Sequence, residues 1–433
     1  MESDRLRRAI ADQREELSEK FKRENIVQRE FLPEIKDALS VPGLLVLTGV
    51  RRCGKSFASV LSSGEDYGYV NFDDPSLEGI RAKDLPDVME AMYMVYGKPG
   101  TIILDEVQNV SGWELLATRL RETKRTIVTG SNASLLSEEF GTRLTGRYVR
   151  FEAMPFSFRE FLAYNNVNAK PMTTEAIAEI KKRLEDYVRR GGFPESYKYG
   201  ERMLLQIYED IVTKDIERRY NIRNRTRFRE FARDVLSNSA NRISYNSLAD
   251  AFRLGSVNTA KKYLSYIENA YLVIVIRKFS NRLRHQFRAP KKVYCIDNGL
   301  LSALGFRIMD NTPKIMENIV CIELMRRKSY LEPTTEVYYW QDQFQREVDF
   351  IVRKGDRTLE LIQVTNDFNK INENREVRSL LAASRELRCG NLTVITWNTE
   401  RTIKKSGKVI RLVPLWKWLL KENSPERMRK HQN

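Results

Sequence analysis

Gly49-Val50-Arg51-Arg52-Cys53-Gly54-Lys55-Ser56 carries the pattern G-x-x-x-x-G-K-S. The apolar run Leu44-Leu45-Val46-Leu47-Thr48 precedes it, and a helical stretch opens at Phe57. Strand, glycine-bounded loop and helix are the context a phosphate-binding loop requires. The glycines let the backbone curl so that successive N–H groups point inward and form an anion nest. The helix that follows adds its free N–H groups and the positive end of its dipole. Lys55 can reach the β- and γ-phosphates of a nucleotide, and the Ser56 hydroxyl can ligate Mg²⁺. ATP with Mg²⁺ is therefore the expected ligand, held by Gly49 through Ser56.

Working outward, 433 residues are more than one ordinary core accommodates, so several domains are expected. Apolar residues are plentiful and punctuated by polar turns, as in globular rather than disordered chains. No apolar run approaches the roughly 20 residues that span a bilayer; the strongest, Tyr271–Ile276, stops at Arg277. The opening segment, Glu2 to Lys22, is charged and lacks the apolar core of a secretory signal. The four cysteines, Cys53, Cys295, Cys321 and Cys389, are far apart, which argues against a disulfide framework or a zinc site. A cytoplasmic location without membrane attachment is the expectation. The formal net charge of +16 favours a polyanionic partner.

Strands expected at Tyr67–Phe72, Thr101–Leu104 and Arg125–Thr129 alternate with helices, the pattern of a parallel sheet covered on both faces. The strand Thr101–Leu104 runs into Asp105-Glu106. An acid at the carboxyl end of a buried strand is where a P-loop ATPase places its second Mg²⁺ contact, so Asp105 takes that role. Glu106 is then placed to accept a proton from the attacking water. The next strand ends in Gly130-Ser131-Asn132; Asn132 or Ser131 can sense the γ-phosphate, unless they simply cap a helix. Arg147, chosen over Arg143, precedes the last core strand and can reach the phosphoryl group held by a neighbouring subunit, which implies a homo-oligomer.

Together these stretches resemble one group of AAA-type ATPases found in archaea and bacteria. The resemblance rests on the phosphate loop, Leu104-Asp105-Glu106-Val107-Gln108 with Trp113, Thr129-Gly130-Ser131-Asn132 and Leu144-Thr145-Gly146-Arg147. Met154 through Phe161 and Gly191-Gly192-Phe193-Pro194-Glu195 extend it. In that group the ATPase precedes a winged-helix segment and a C-terminal domain similar to restriction endonucleases. The implied fold is α/β: a P-loop parallel sheet, a helical lid, a winged-helix segment and a nuclease-like end. Expected boundaries are a helical arm over 1–40, the ATPase core over 41–154, a lid over 155–222, the winged helix over 223–300 and the nuclease-like domain over 301–433.

The middle of the chain supports a DNA reading on its own residues. Helices expected at Ser244–Phe252 and Ser256–Asn269 flank the turn Arg253-Leu254-Gly255, a helix-turn-helix arrangement. Asn258, Lys261 and Lys262 share the outward face of the second helix; strands expected at Tyr271–Lys278 and Lys291–Ile296, with the basic stretch Arg282 to Arg288 (Arg282 and Arg284 among it) between them, are expected to make a wing. Beyond Pro313, the resemblance to PD-(D/E)-x-K nucleases assigns metal positions to Glu317, Asp349 and Gln363. The lysine position holds Thr365, which cannot supply a cation, so that domain is expected to be inactive. Two other readings stay open: a nucleotide-dependent switch whose C-terminal domain binds a protein partner, and an ATP-gated nuclease.

Overall fold

The computed structural model describes residues 3–136, 148–170, 173–306, 309, 311–368 and 370–421. They form two compact units, Met1–Met154 with Asn269–Tyr271, and Pro155–Glu268 with Leu272–Asn433.

The first unit is built on a five-stranded sheet in the order β2-β3-β4-β1-β5. The strands are β1 (Gly43–Gly49), β2 (Tyr67–Asn71), β3 (Thr101–Asp105), β4 (Arg125–Gly130) and β5 (Val149–Ala153), and all neighbours run parallel. Leu44 through Leu47 are buried without alternation because β1 lies between β4 and β5 with both faces covered. Helices α1 (Ser3–Arg23) and α2 (Leu32–Ala38) precede the sheet. Leu6 and Ile10 of α1 join Val88, Met92 and Leu104 in one core, so the N-terminal arm is part of this unit's interior. Phe21 meets Phe57, at 4.8 Å between ring centroids, one turn into α3 (Lys55–Ser63).

The parallel order places the carboxyl ends of β3, β4 and β1 side by side, which is what assembles a site there. Gly49 closes β1 at φ +142°, and a Cβ on it would lie 2.2 Å from the Ala153 carbonyl oxygen of β5. Gly49→Ala is therefore expected to destabilise the chain by about 3 kcal/mol or more, through overpacking against rigid backbone. A lowered urea midpoint would register it; an unchanged midpoint would mean that the loop relaxes freely.

The second unit opens with helices α4 (Phe158–Tyr164) and α5 (Thr174–Arg190). Further on come α6 (Arg225–Ser237), β6 (Asn241–Ile243), α7 (Tyr245–Ala251), α8 (Val257–Asn269) and β7 (Val273–Lys278). Ala260, Leu264 and Ile267 of α8 are buried, and Tyr263 packs edge-on to Phe228 and Phe231 of α6. The two strands expected in the wing form as an antiparallel pair, β7 with Lys291–Cys295, and the basic stretch between them holds a short helix, α9 (Leu283–Arg288). Lys291, at the start of β8 (Lys291–Cys295), explains why it holds: its ammonium takes the carbonyls of Gln286, Phe287 and Ala289 at the helix end.

The expected boundary between 300 and 301 does not divide the sheet. Strands β6, β8 and β7 continue into β9 (Thr335–Gln341), β10 (Glu347–Lys354), β11 (Arg357–Val364), β12 (Leu392–Thr396), β14 (Lys408–Pro414) and β13 (Arg401–Lys405) as nine strands. The junction is the parallel pair β7–β9, with Arg277 opposite Tyr338 and Lys278 opposite Tyr339. Helix α10 (Thr312–Tyr330) is buried around most of its circumference, including Glu317, Asn318, Glu323 and Arg326. Asn318 bonds both the N–H and the carbonyl of Cys295, as an adjacent strand would.

The stretches Pro155–Phe161 and Gly191–Glu195 are structural within this unit. Gly192 accepts from the Phe156 N–H at 2.7 Å, and Asp297 accepts from the Gly192 N–H at 2.5 Å. Arg326 donates to the Pro155 and Phe156 carbonyls. A Cβ on Gly191 would fall 2.0 Å from the Asp297 carboxylate, so only glycine fits there.

Candidate nucleotide site and its surroundings

The loop between β1 and α3 turns through left-handed residues: Gly49, Arg52 at φ 64° and Gly54 at φ 94°. Lys55 opens α3 with its ammonium 3.0 Å from the carbonyl oxygens of both Gly49 and Val50. It also lies 3.7 Å from the Glu106 carboxylate. Arg51 pairs with Asp73 at 3.0 Å. Beneath the loop, the buried Arg29 guanidinium donates to the Cys53 and Met154 carbonyls at 2.6 Å each and lies over the Phe31 ring. Removing it strands two buried carbonyls and frees the loop's floor. Arg29→Ala is expected to weaken ATP binding about tenfold, the equivalent of one charge-assisted hydrogen bond. Isothermal titration with ATP would measure this; unchanged affinity would mean that the loop holds its shape without the arginine.

Asp105 ends β3 and is bound from three sides. Tyr69 donates to one carboxylate oxygen at 2.6 Å, Thr129 of the neighbouring β4 to the other, and the Ser56 hydroxyl also bonds it. Burial and the adjacent charge of Glu106 push the Asp105 pKa above the ordinary aspartate value. Glu106 follows at φ 52°, a left-handed conformation that costs energy outside glycine and that clusters at functional sites. Its N–H donates to the Thr129 hydroxyl at 3.1 Å, and the Gln108 amide donates to its carboxylate. Burial raises the Glu106 pKa, but Lys55 and Arg51, aided by Gln108 and Ser131, outweigh it and hold this group below the ordinary glutamate value. The two acids are thus shifted in opposite directions, Asp105 upward and Glu106 downward. Among the described residues, the Gln108 carbonyl oxygen is buried beside it with no hydrogen-bond partner.

Ser131 and Asn132 are both fully buried at the end of β4. Of the two, it is Ser131 whose hydroxyl meets Gln108, at 3.4 Å, and bonds Glu106. Arg147 and Arg143 lie outside the described residues.

In the second unit, Asn258, Lys261 and Lys262 are exposed on α8, and Arg282 and Arg284 are exposed at α9. Positive charge concentrates between them. Lys261 and Lys291 lie over the Tyr245 ring at 5.7 and 5.5 Å. Burial, then the charges of Arg277 and Lys261, draw the Lys291 pKa below the usual lysine value. Phe287, 58% exposed, carries the Arg277 guanidinium over its ring, and Leu283 beside it is 67% exposed.

Glu317, Asp349 and Gln363 converge, but not on an open metal position. The Lys292 ammonium of β8 stands among them, 2.8 Å from Glu317 and 3.0 Å from Asp349. The Gln363 side-chain oxygen accepts from the Asp349 N–H at 3.3 Å and is turned to backbone. Among the described residues, no group of three or more His, Cys, Asp or Glu is arranged to hold a metal ion. A protein cation, the Lys292 ammonium, thus stands between Glu317 and Asp349, two of the three residues expected to hold a metal.

Comparison with known proteins agrees with the division between nucleotide site and unassigned remainder. Residues 42–162 match the model of an AAA domain. Residues 181–312 and 313–418 match two domains of unknown function, DUF8612 and DUF4143. The uncharacterized protein MJ1544 of Methanocaldococcus jannaschii is 30% identical over 420 residues, covering 92% of each chain. The chain belongs to the MJ1544 family. An uncharacterized protein of Haemophilus influenzae is also 30% identical, over 357 residues that cover 78% of this chain and 85% of that one. Within this member of the family, residues 42–162 are an AAA domain.

Solved structures are more distant. A signal transduction ATPase with numerous domains from Pyrococcus horikoshii, PH0952, aligns at TM-score 0.26 and 11% identity over 70% of this chain. The alignment spans 46% of that protein's own length. AMPPCP-bound DnaA from Aquifex aeolicus aligns at TM-score 0.23 and 14% identity, over 56% of this chain and 90% of DnaA. Cdc6p from Pyrobaculum aerophilum aligns at TM-score 0.25 and 10% identity, over 69% of this chain and 97% of Cdc6p. Scores this low transfer no property of those proteins to the family. No helix among the described residues is long and apolar enough to cross a membrane.

Sequence reasoning misses Arg29, Tyr69, Gln108, Thr129 and Lys292. Tyr69 and Thr129 carry a usable signal, since hydroxyl-bearing residues on strands beside β3 face its terminal acid. Arg29 and Lys292 carry none, because each reaches its partners through contacts distant in the chain.

Proposed function

We propose that this protein is a Mg²⁺-dependent ATP hydrolase whose cycle is coupled to DNA binding through the second unit. One observation carries the catalytic part: the Glu106 carboxylate is held by Gln108, 3.7 Å from the Lys55 ammonium. The loop N–H groups from Val50 to Ser56 cradle the phosphates, and Lys55 exchanges the Gly49 and Val50 carbonyls for phosphate oxygens. That movement takes from Glu106 the positive charge that depresses its pKa, so binding ATP makes Glu106 a better base. Gln108 then holds Glu106 by its amide and offers its unpaired carbonyl oxygen to the attacking water. The Ser56 hydroxyl and the Asp105 carboxylate are adjacent, hard oxygen donors and suit Mg²⁺, which when bound neutralises phosphate charge. Arg147 completes the site from a second copy of the chain.

DNA is the proposed partner because the exposed residues Asn258, Lys261, Lys262, Arg282 and Arg284 share a unit with a net-basic chain of +16. The cytoplasm is the proposed location. Fluorescence anisotropy of a labelled duplex across a salt series tests the DNA arm: log K should fall with log salt at about 0.9 per neutralised phosphate. Absent or salt-indifferent binding would remove DNA and favour a protein partner.

A further inference from the structure

Lys292 is the second residue of β8 and is 3% exposed. Its ammonium has three N–H donors and three carboxylates around it: Glu347 at 2.6 Å, Glu317 at 2.8 Å and Asp349 at 3.0 Å. Glu317 arrives from α10; Glu347 and Asp349 arrive from alternate positions on β10 and so share one face. Further donors face the acids. Tyr294, two residues along the same face of β8, donates to the Glu317 oxygen at 2.7 Å. The second Asp349 oxygen accepts from the Val364 N–H at 3.0 Å. Glu347, the one acid with appreciable exposure at 25%, is faced by Arg242 at 3.7 Å.

We propose that Lys292 is the resident cation of the nuclease-like constellation: the second unit binds no divalent metal at Glu317, Asp349 and Gln363 and cleaves no nucleic acid. The inference rests on the nuclease-like reading only for where a metal would be expected, and is independent of ATP hydrolysis. A divalent ion would have to displace the ammonium, and Lys292 would then be a buried charge without a partner, a strongly unfavourable state. Nor is there access for a phosphodiester, since Glu317, Asp349 and Gln363 are each less than a tenth exposed. The chain does carry a lysine for this site; it lies 57 residues before Asp349, on a strand that joins the sheet through β7. What results is an ion-pair rivet joining β8, α10 and β10. It leaves this part of the unit free to act as a binding surface without chemistry.

The full-length, nucleotide-free protein tests this through Mn²⁺ uptake followed by the EPR signal of free Mn²⁺, with supercoiled DNA nicking measured alongside. Wild type and Asp349→Asn are expected to take up the same amount and to nick nothing. Uptake of one ion per chain, or nicking, that Asp349→Asn abolishes would overturn the proposal. Thermal unfolding reads the rivet itself. Lys292→Met is expected to lower Tm by about 10 °C, because it leaves like charges buried together. The triple variant Lys292→Met, Glu317→Gln, Asp349→Asn should recover most of that loss. A lysine variant as stable as wild type, or a triple variant no better than the single one, contradicts the rivet.

Discussion

Glu106→Gln is expected to cut ATP turnover by about 10²–10⁴-fold, the usual contribution of a positioned general base, while ATP still binds. Glutamine keeps the length and shape of the side chain and can still bond Gln108. It loses the negative charge that lies 3.7 Å from Lys55 and the capacity to take a proton. Lys55 is then held less tightly before ATP arrives, so affinity should be unchanged or higher. Phosphate release under saturating ATP, paired with ATP titration, separates the two effects. A variant that turns over like the wild type would remove Glu106 from the chemistry. One that fails to bind would recast it as a support for the loop.

The second large effect is on DNA. Replacing Lys261, Lys262, Arg282 and Arg284 together by alanine is expected to weaken duplex binding about a hundredfold near physiological salt. The salt slope should also fall by about 0.9 for every phosphate that is no longer neutralised. All four side chains are exposed, so stability should change little; the contact of the Lys261 ammonium with the Tyr245 ring is given up. The slope decides the matter more sharply than the affinity. An unchanged slope would place the phosphates elsewhere on the chain, whatever happens to Kd.

The phosphate loop and the acid pair are legible in the sequence because both are local. Gly49, Gly54, Lys55 and Ser56 act at fixed spacing along the chain, and Asp105-Glu106 ends a run of apolar residues. Their supports are not legible in the same way. Thr129 reaches Asp105 because β4 pairs with β3, and Arg29 reaches Cys53 and Met154 across 24 and 125 residues. The stretch from Arg282 to Arg288 holds a helix between the two wing strands, and Leu283-Arg284-His285-Gln286-Phe287-Arg288 contains no glycine, proline or β-branched residue to resist one. The carboxyl site departs from expectation for a different reason. Thr365, just past β11, stands at the expected lysine position, while the lysine that meets Glu317 and Asp349 comes from β8, and nothing in the local pattern announces the β7–β9 pairing that brings it there.

Coupling of ATP hydrolysis to DNA binding is most directly measured as steady-state ATP turnover by the wild-type chain, with and without saturating duplex DNA at low salt. Turnover that rises with DNA, and that falls back as salt dissociates the duplex, is the predicted result. Turnover indifferent to bound DNA would contradict the coupling, and no turnover under either condition would contradict the assignment of Glu106 and Asp105 to hydrolysis.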